Sequence, residues 1–213
     1  WPQWRCDASR SGATDASGPG QPSLLWQLGL GRPDPAYDHQ YRMCADAADA
    51  PVAAEGLVFI PSNANDQVLA CDLQTGAVRW RCYAEGPVRF APVYADGKVC
   101  FAADDGYLHC VTARDGKRLW QVRGAPESLP DSRTLVNGRL CSRWPARGAP
   151  VEHRGVVYFA AGIWPEEGVY VCAVNAETGR LLWRTDAMSY VKNGMSDHGR
   201  AYDLSLPPHG YLA

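Results

Sequence analysis

Two pairs of adjacent carboxylates are the residues of this chain whose type and spacing could do chemistry. Asp104-Asp105 is followed directly by Gly106, and Glu166-Glu167 lies in the loop sequence GIWPEEG, residues 162–168. Neighbouring carboxylates can act as general acid and base, or as calcium ligands. An Asp-Gly step between β-rich runs, however, is a strong signal for a tight turn. We therefore interpret the aspartates as turn residues and the glutamates as a solvated loop tip.

The histidines and a Ser-Asp-His run do not have the spacing of a metal or catalytic site. No two histidines stand four residues apart, and no H-E-x-x-H sequence occurs. Ser196-Asp197-His198 contains the residue types of a triad, but successive side chains of a strand point to opposite faces. The sequence therefore predicts no metal ligands and no catalytic residues. The histidines are His39, His109, His153, His198 and His209.

None of the cysteines belongs to a C-x-x-C sequence, which is the local signature of zinc and redox sites. Several stand where valine or alanine would serve in a strand, such as Cys100 in KVCFAA and Cys110 in YLHCVTA. Because buried free cysteine packs as a small apolar residue, we predict a packing role. One or two disulfides are the alternative. The cysteines are Cys6, Cys44, Cys71, Cys82, Cys100, Cys110, Cys141 and Cys172.

The composition excludes several classes of partner. A formal net charge of −2 and the lack of a basic stripe argue against binding to nucleic acid. No stretch approaches the ~20 apolar residues of a membrane-spanning helix. The chain starts at Trp1 without a secretory signal, and we interpret it as a processed form or a piece of a longer protein.

Three copies of one sequence pattern organise the chain. They start at Ala50, Ala91 and Ala149 with Ala-Pro-Val, and they end at a tryptophan behind a Thr-Gly or Asp-Gly turn. Pro51 and Pro92 lie 41 residues apart, which matches a four-stranded propeller blade of ~40–50 residues. The third copy starts later because of an insertion at 124–148.

Each copy reads as four short strands joined by hairpin turns. In the second copy, Asp-Gly turns at 96–97, 105–106 and 115–116 separate apolar runs. Such sheets bury both faces when they stack radially, so we predict an all-β fold, a partial propeller of about three blades, rather than a solenoid. The predicted units are a lead with a closing strand LLWQLGL (1–36), blade 1 (37–80), blade 2 (81–123), blade 3 with its insertion (124–184), and a linker with the start of blade 4 near Pro208 (185–213).

The repeated tryptophans are predicted to be structural. On the outermost strand of a blade, a flat indole can lie against the neighbouring blade's turn where glycine allows close approach. We expect clamps between blades at these positions. The clamp residues are Trp80, Trp120 and Trp183 with Gly76, Gly116 and Gly179.

The expanded loops of the third copy are the candidate binding surface. Binding residues concentrate on loops carried by a rigid scaffold. The alternative is that Trp144 and Trp164 only pack the insertion onto its blade. The candidate residues are Arg143, Trp144, Trp164, Glu166 and Glu167.

The sequences ACDLQTGAVRW (70–80) and AVNAETGRLLW (173–183) resemble the tryptophan-docking motif of PQQ-like β-propeller repeats. The resemblance implies a ring of seven or eight blades, of which this chain holds part, and an extracytoplasmic location in bacteria. It implies one of two functions, a non-catalytic scaffold that binds a protein partner or small ligand, or part of a quinoprotein dehydrogenase with PQQ and calcium. That dehydrogenase stacks its quinone on a disulfide between adjacent cysteines, which this chain lacks. We therefore favour the scaffold, with no cofactor.

Overall fold

A computed structural model describes residues 1–18, 20–37, 46–164, 167–185, 191–195, 199, 201–204 and 210–212. The elements formed by these residues are β-strands. The same residues contain no helix with the length and apolar character needed to cross a membrane.

The strands follow one another along the chain in three blades and additional hairpins. Blade 1 comprises β1 (Val52–Ala54), β2 (Leu57–Ser62), β3 (Gln67–Asp72) and β4 (Val78–Tyr83). Blade 2 comprises β5 (Val93–Ala95), β6 (Lys98–Ala102), β7 (Tyr107–Thr112) and β8 (Arg118–Arg123). A hairpin of β9 (Arg133–Val136) and β10 (Arg139–Ser142) precedes blade 3, which comprises β11 (Gly148–His153), β12 (Val156–Ala161), β13 (Tyr170–Asn175) and β14 (Leu181–Thr185). The last strands are β15 (Val191–Met195), β16 (Ala201–Leu204) and β17 (Gly210–Tyr211).

Each blade is an antiparallel sheet whose strands pair in chain order. The all-β fold in four-stranded antiparallel blades, predicted from the repeats, is confirmed, and the three blades do not close into a ring. The fourth strand of blade 1 continues past its tryptophan to Tyr83. The boundary expected at residue 80 therefore falls inside β4, because the ladder with β3 extends to the pair Gln67–Tyr83.

Apolar side chains on both faces of each sheet form the core between blades. In β6, Val99 and Phe101 pack with residues of blade 1, whereas Cys100 and Ala102 pack with residues of blade 3. Because β6 and β7 of blade 2 are covered on both sides, their apolar residues run on without alternation. Complete burial of each Phe, Val or Leu side chain contributes about 1.5–3 kcal/mol, so blade stacking is the main source of stability.

The last described strand, β17, pairs with blade 3. Gly210 and Tyr211 pair in parallel with Gly148 and Ala149 of β11, which is the first strand of blade 3. The Tyr211 ring stacks on Trp4 with ring centroids 3.8 Å apart. This stacking holds β17 beside the N-terminal segment. Pro208, near which the start of a fourth blade is predicted, lies outside the described residues.

The first three residues join the first strands of all three blades. The carbonyl of Trp1 accepts a hydrogen bond from Ala53 N at 2.9 Å, and that of Pro2 accepts one from Tyr94 N at 2.7 Å. The Gln3 side chain donates to Glu152 O and accepts from Glu152 N, both at 3.2 Å. The N-terminal segment therefore ties β1, β5 and β11 together.

An indole of one blade lies on the turn glycine of the next. Trp80 is buried, its Nε1 donates to Ala113 O at 2.8 Å, and a Cβ built on Gly116 would stand 2.7 Å from its ring. Trp120 lies against Gly179, with a built Cβ 2.5 Å from the ring, but its Nε1 makes no hydrogen bond with the described residues. Trp183 faces no following blade among the described residues, and 47% of it is exposed.

Trp26, which lies outside the three repeats, makes a third contact of this kind. Its Nε1 donates to Leu73 O at 2.9 Å, and a Cβ on Gly76 would stand 2.6 Å from its ring. The neighbouring residues Leu28 and Leu30 pack on the core of blade 1. The segment 24–30 thus occupies, beside blade 1, the place that β4 occupies beside blade 2.

Replacement of Gly116 by alanine tests the clamp against a matched control. Gly116 and Gly97 have φ angles of +71° and +77°, but a Cβ on Gly97 would meet nothing within 4 Å. Both Gly116→Ala and Gly97→Ala should lose about 1–2 kcal/mol of unfolding free energy from the left-handed backbone. Gly116→Ala should lose about 1–3 kcal/mol more, because Trp80 must move. Urea denaturation of both variants measures the difference, and equal losses would contradict a clamp at this glycine.

Candidate interaction surface

The insertion between blades 2 and 3 lies at one end of the blades. Because strands alternate in direction, the turns between second and third strands share this end with the connections between blades. We call it the connector end. The Thr-Gly and Asp-Gly turns behind which the tryptophans lie are at the opposite end. Expanded loops of the third copy therefore meet the turn at residues 103–106 of blade 2.

A two-stranded hairpin, β9–β10, forms the projecting part of the insertion. Its turn is Asn137-Gly138, and both residues have positive φ, +48° and +78°, as a type I′ turn requires. Thr134 pairs with Cys141 on one face, and Leu135 pairs with Leu140 on the other. The sequence LVNGRLC carries the signal for this hairpin, an Asn-Gly step between strand-like residues, although it does not belong to the blade repeat.

The two faces of the hairpin differ sharply in exposure. Cys141 is completely buried against blade 2, and Ser142 N donates to Asp104 O at 2.6 Å. Leu135 is 72% exposed and Leu140 is 57% exposed. Large apolar side chains side by side in solvent form a patch of the kind found at protein-binding sites. The hairpin therefore presents an apolar pair at the connector end.

A buried cluster of charged side chains lies under the hairpin. Asp104 accepts hydrogen bonds from Arg147 Nε at 2.9 Å and from Arg147 NH2 at 2.8 Å, one to each carboxylate oxygen. Arg89 Nε donates to the same carboxylate at 2.7 Å, and Arg89 NH1 donates to Asp46 at 2.7 Å. All four side chains are almost completely buried. The cluster joins the turn of blade 2 to the connections on both of its sides.

The cluster shifts the pKa values of Asp104 and of the neighbouring Cys141 thiol. Burial alone would raise the pKa of Asp104, but the guanidinium groups of Arg147 and Arg89 outweigh burial and lower it to about 2. Burial and the negative charge of Asp104 raise the pKa of the neighbouring Cys141 thiol to about 11. Asp104 is therefore an ionised structural carboxylate rather than a proton-transfer group, and Cys141 is a neutral thiol.

Ion pairs at the edge fasten the hairpin to its surroundings. Arg139 pairs with Asp34 at 2.7 Å and also with Asp66, while Arg133 NH2 pairs with Glu85 at 2.6 Å. Asn137 Nδ2 donates to the carbonyl of Ala36. Contacts from blade 1, the N-terminal segment and the connection between blades 1 and 2 thus hold the hairpin in one position.

The structure brings together most of the residues that the sequence selected in the blade 3 loops. Arg143 Nε donates to Glu167 at 2.6 Å, and Trp144 Nε1 donates to the Glu167 carbonyl at 2.9 Å. Trp164 lies beside Arg143 and Glu167 in a shallow cleft. Trp144 is only 5% exposed, so it packs the insertion and offers no ring to a partner. Glu166 lies outside the described residues.

The Asp105 carboxylate makes contacts that are separate from the charge cluster around Asp104. Its carboxylate accepts hydrogen bonds from Tyr107 N at 3.0 Å and Glu85 N at 3.1 Å, and it lies 2.8 Å from His109 Nε2. These contacts close the turn, as the sequence predicted for Asp-Gly. Within the described ranges, no three His, Cys, Asp or Glu side chains are grouped as a metal ion would require. His39, His198 and His209 lie outside those ranges.

Comparison with known proteins relates the chain to two groups. Residues 14–142 match the family described as outer membrane protein assembly factor BamB. The chain is 26% identical over 176 residues to that factor from Yersinia pestis, covering 78% of this chain and 41% of the relative. It is 28% identical over 169 residues to the dehydrogenase subunit of a quinone alcohol dehydrogenase from Acetobacter aceti, covering 73% of this chain and 21% of the relative. The chain thus spans less than half the length of either relative.

Solved structures support the fold. Quinohemoprotein alcohol dehydrogenase from Comamonas testosteroni superposes with a TM-score of 0.52 at 25% identity, covering 64% of this chain and 20% of that one. A europium-containing methanol dehydrogenase superposes with a TM-score of 0.51 at 21% identity, covering 72% of this chain and 27% of that one. At this identity the second likeness concerns the fold alone.

Replacement of Asp104 by asparagine tests the buried charge cluster. Asp104→Asn should lower the unfolding free energy by about 3–5 kcal/mol, because it leaves the buried Arg147 without a carboxylate partner and Arg89 with Asp46 alone. Glu177→Gln, which removes the exposed partner of Lys98, should cost less than about 1 kcal/mol. Chemical denaturation of both variants gives the comparison.

The same carboxylate predicts a pH dependence. Because its pKa in the folded chain lies below that in the unfolded chain, the stabilisation is complete above about pH 4 and is lost as the pH falls toward 2. The unfolding free energy of the Asp104→Asn variant should fall less over this window than that of the unaltered chain. Parallel curves for the two proteins would show that Asp104 is not the titrating group.

Proposed function

Since the chain belongs to the family described as outer membrane protein assembly factor BamB, we propose that it is a non-catalytic scaffold that docks a protein partner on the β9–β10 hairpin. The observation that carries this proposal is the pair Leu135–Leu140, exposed on a hairpin whose opposite face packs through Cys141 on the buried charge cluster. The scaffold would act by presenting this pair in one fixed position.

Rigidity makes the exposed pair suitable for binding. A partner that buries both leucines gains about 1.5–3 kcal/mol for each side chain that is fully covered. Ordering a mobile loop would consume part of this gain, but the ion pairs of Arg139 and Arg133 already hold the hairpin. The fixed backbone therefore leaves more of the burial free energy available for affinity.

The surroundings of the leucines match the usual anatomy of an interface. Such surfaces combine an apolar centre with a charged, solvated rim. Here the rim contains Arg133, Glu85, Arg143 and Glu167, paired with one another in two ion pairs. A rim with both signs of charge favours a protein partner over a polyanion. One relative is named for the outer membrane, which supports an extracytoplasmic location.

A second candidate function is a part of a quinone-dependent dehydrogenase, which the similarity to such enzymes favours. PQQ carries several carboxylates and would need a positively charged site. At the connector end, Arg89 and Arg147 are buried with Asp104 and Asp46, so the cluster has no net positive charge. The chain also has no adjacent cysteines to form the disulfide half of the quinone stack. The residues present do not fit this cofactor, which supports the scaffold.

Site-specific crosslinking tests the scaffold proposal. A photoreactive amino acid at position 135 or 140 should link the chain to one protein in cells that express it. The same group at Gln74, exposed at the opposite end of blade 1, should not form that adduct. Mass spectrometry of the adduct identifies the partner, whose purified form then gives binding constants.

Substitution of the leucines measures their contribution to that binding. Leu135→Thr with Leu140→Thr should weaken binding roughly a hundredfold, because partner and hairpin no longer bury apolar surface. Unfolding free energy should change by less than about 1 kcal/mol, since both side chains are exposed. Leu24→Thr, at a leucine that is 81% exposed away from the hairpin, is the control. Equal adducts from all positions, or dye-linked alcohol oxidation with PQQ and calcium, would argue against a scaffold.

A further inference from the structure

Two cysteines of blade 2 stand directly opposite each other. Cys100 on β6 and Cys110 on β7 are partners in the antiparallel ladder, and both are completely buried in the core shared with blade 3. No other ladder between described strands pairs two cysteines. This arrangement separates them from the cysteines that only fill space.

The backbone hydrogen bonds show which kind of pair this is. At one end of the ladder Ala103 N donates to Tyr107 O at 3.1 Å, and at the other end Ala113 N donates to Gly97 O at 2.8 Å. Hydrogen-bonded and non-hydrogen-bonded pairs alternate along an antiparallel ladder, so both bonds place the two cysteines at a non-hydrogen-bonded position. There the Cα atoms lie about 4.5 Å apart, within the range of about 4.4–6.8 Å that a disulfide spans.

The other blades carry a different pair at this position. Phe59 faces Ala70 in blade 1, and Tyr158 faces Ala173 in blade 3. Both blades thus combine one aromatic ring with one methyl group, whereas blade 2 has two thiols. Blade 2 therefore differs from the other two blades at this position on both middle strands.

The replaced aromatic ring normally supports the clamp. Phe59 packs against Trp80 with ring centroids 5.9 Å apart, and Tyr158 packs against Trp183 at 6.1 Å. In blade 2, Cys110 pairs with Trp120 on β8, but the position beyond it holds Cys100 in place of a ring. A covalent link between the middle strands could replace the packing that blade 2 lacks.

We propose that Cys100 and Cys110 form a disulfide across β6 and β7 when the chain folds in the presence of a disulfide oxidant. One cysteine thiolate attacks the oxidant's disulfide, forms a mixed disulfide and releases the first oxidant thiol. The second cysteine attacks the mixed disulfide, closes the Cys100–Cys110 bond and releases the second thiol. Two protein thiols are oxidised, the oxidant is reduced to two thiols, and these carry the two protons.

Folding determines when the reaction can occur. In the folded chain, the hydrogen bond between the two thiols and their burial raise the pKa of Cys100 well above its ordinary value. Because the thiolate is the reacting species, the folded, reduced pair is inert. The disulfide therefore forms before blade 3 covers the pair and is then shielded from reductants.

Peptide mapping after refolding tests the proposal. The reduced, unfolded chain is refolded in a mixture of reduced and oxidised glutathione, unfolded again with an alkylating reagent, and digested with trypsin. Residues 99–114 form one tryptic peptide that contains both cysteines. This peptide should lack alkyl groups and be lighter by two hydrogen atoms, until dithiothreitol allows both cysteines to react. Cys71 and Cys172, each buried without a cysteine partner, should be alkylated in every sample.

A second arm starts from the folded, reduced chain and adds the same oxidant. Both thiols should then stay free, since the pair is already buried. As an independent test, the chain is produced in an oxidising compartment, and its disulfides are mapped by the same digestion without refolding. Free thiols in both the refolded and the compartment samples, or links from Cys100 or Cys110 to glutathione or another cysteine, would overturn the proposal.

Stability measurements distinguish a cross-link from simple packing. Oxidation should raise the ratio of folded to unfolded chain roughly a hundredfold, because it restricts the unfolded state. Cys110→Ala, which introduces the residue found in blades 1 and 3, should abolish this difference between oxidised and reduced samples. Cys172→Ala removes a buried cysteine of the same core and should retain it. Loss of the difference in both variants would count against the pair.

Discussion

The contact of an indole with the turn glycine of the next blade is the constraint on which the arrangement of the blades depends. A four-stranded sheet with apolar side chains on both faces must be covered on both sides. Burial alone is not directional and would allow neighbouring sheets to slide. Trp80 and Trp120 remove that freedom, because each ring fits only where the following turn has no Cβ. Trp26 makes the same contact on blade 1, so the N-terminal segment packs as a strand of a blade would.

A different kind of contact organises the opposite end. Asp104 extends from a turn of blade 2 and binds arginines from the connections before and after that blade. Buried ion pairs add little net stability compared with apolar packing, but they are costly to break and they demand one geometry. The hairpin of the insertion lies on this cluster through Cys141. A network with a structural role thereby sets the position of Leu135 and Leu140, the residues proposed to meet a partner.

Much of the fold could be predicted from the sequence, and less of the site. The Asp-Gly and Thr-Gly turns identified the strands because turn geometry depends on neighbouring residues. The same local signal marks Asn137-Gly138 as a hairpin turn within the insertion. Neither Asp104 nor Trp144 could be placed in this way. Sequence did not distinguish the buried Asp104 from its neighbour, and it left open whether Trp144 binds a partner or packs the insertion.

The sequence by itself determined the blades, their order and the indole that follows each last turn, because period-two patterns and turn residues act over a few positions. Only the tertiary structure decided which groups meet at the connector end. Arg89 and Arg147 stand 15 and 43 residues from Asp104 in the chain, on either side of it. Their meeting follows from the rotation of one blade against the next, which no local pattern records. The pairing of Cys100 with Cys110 depends likewise on the register of the β6–β7 ladder. Their burial depends on blade 3, which follows them in the sequence.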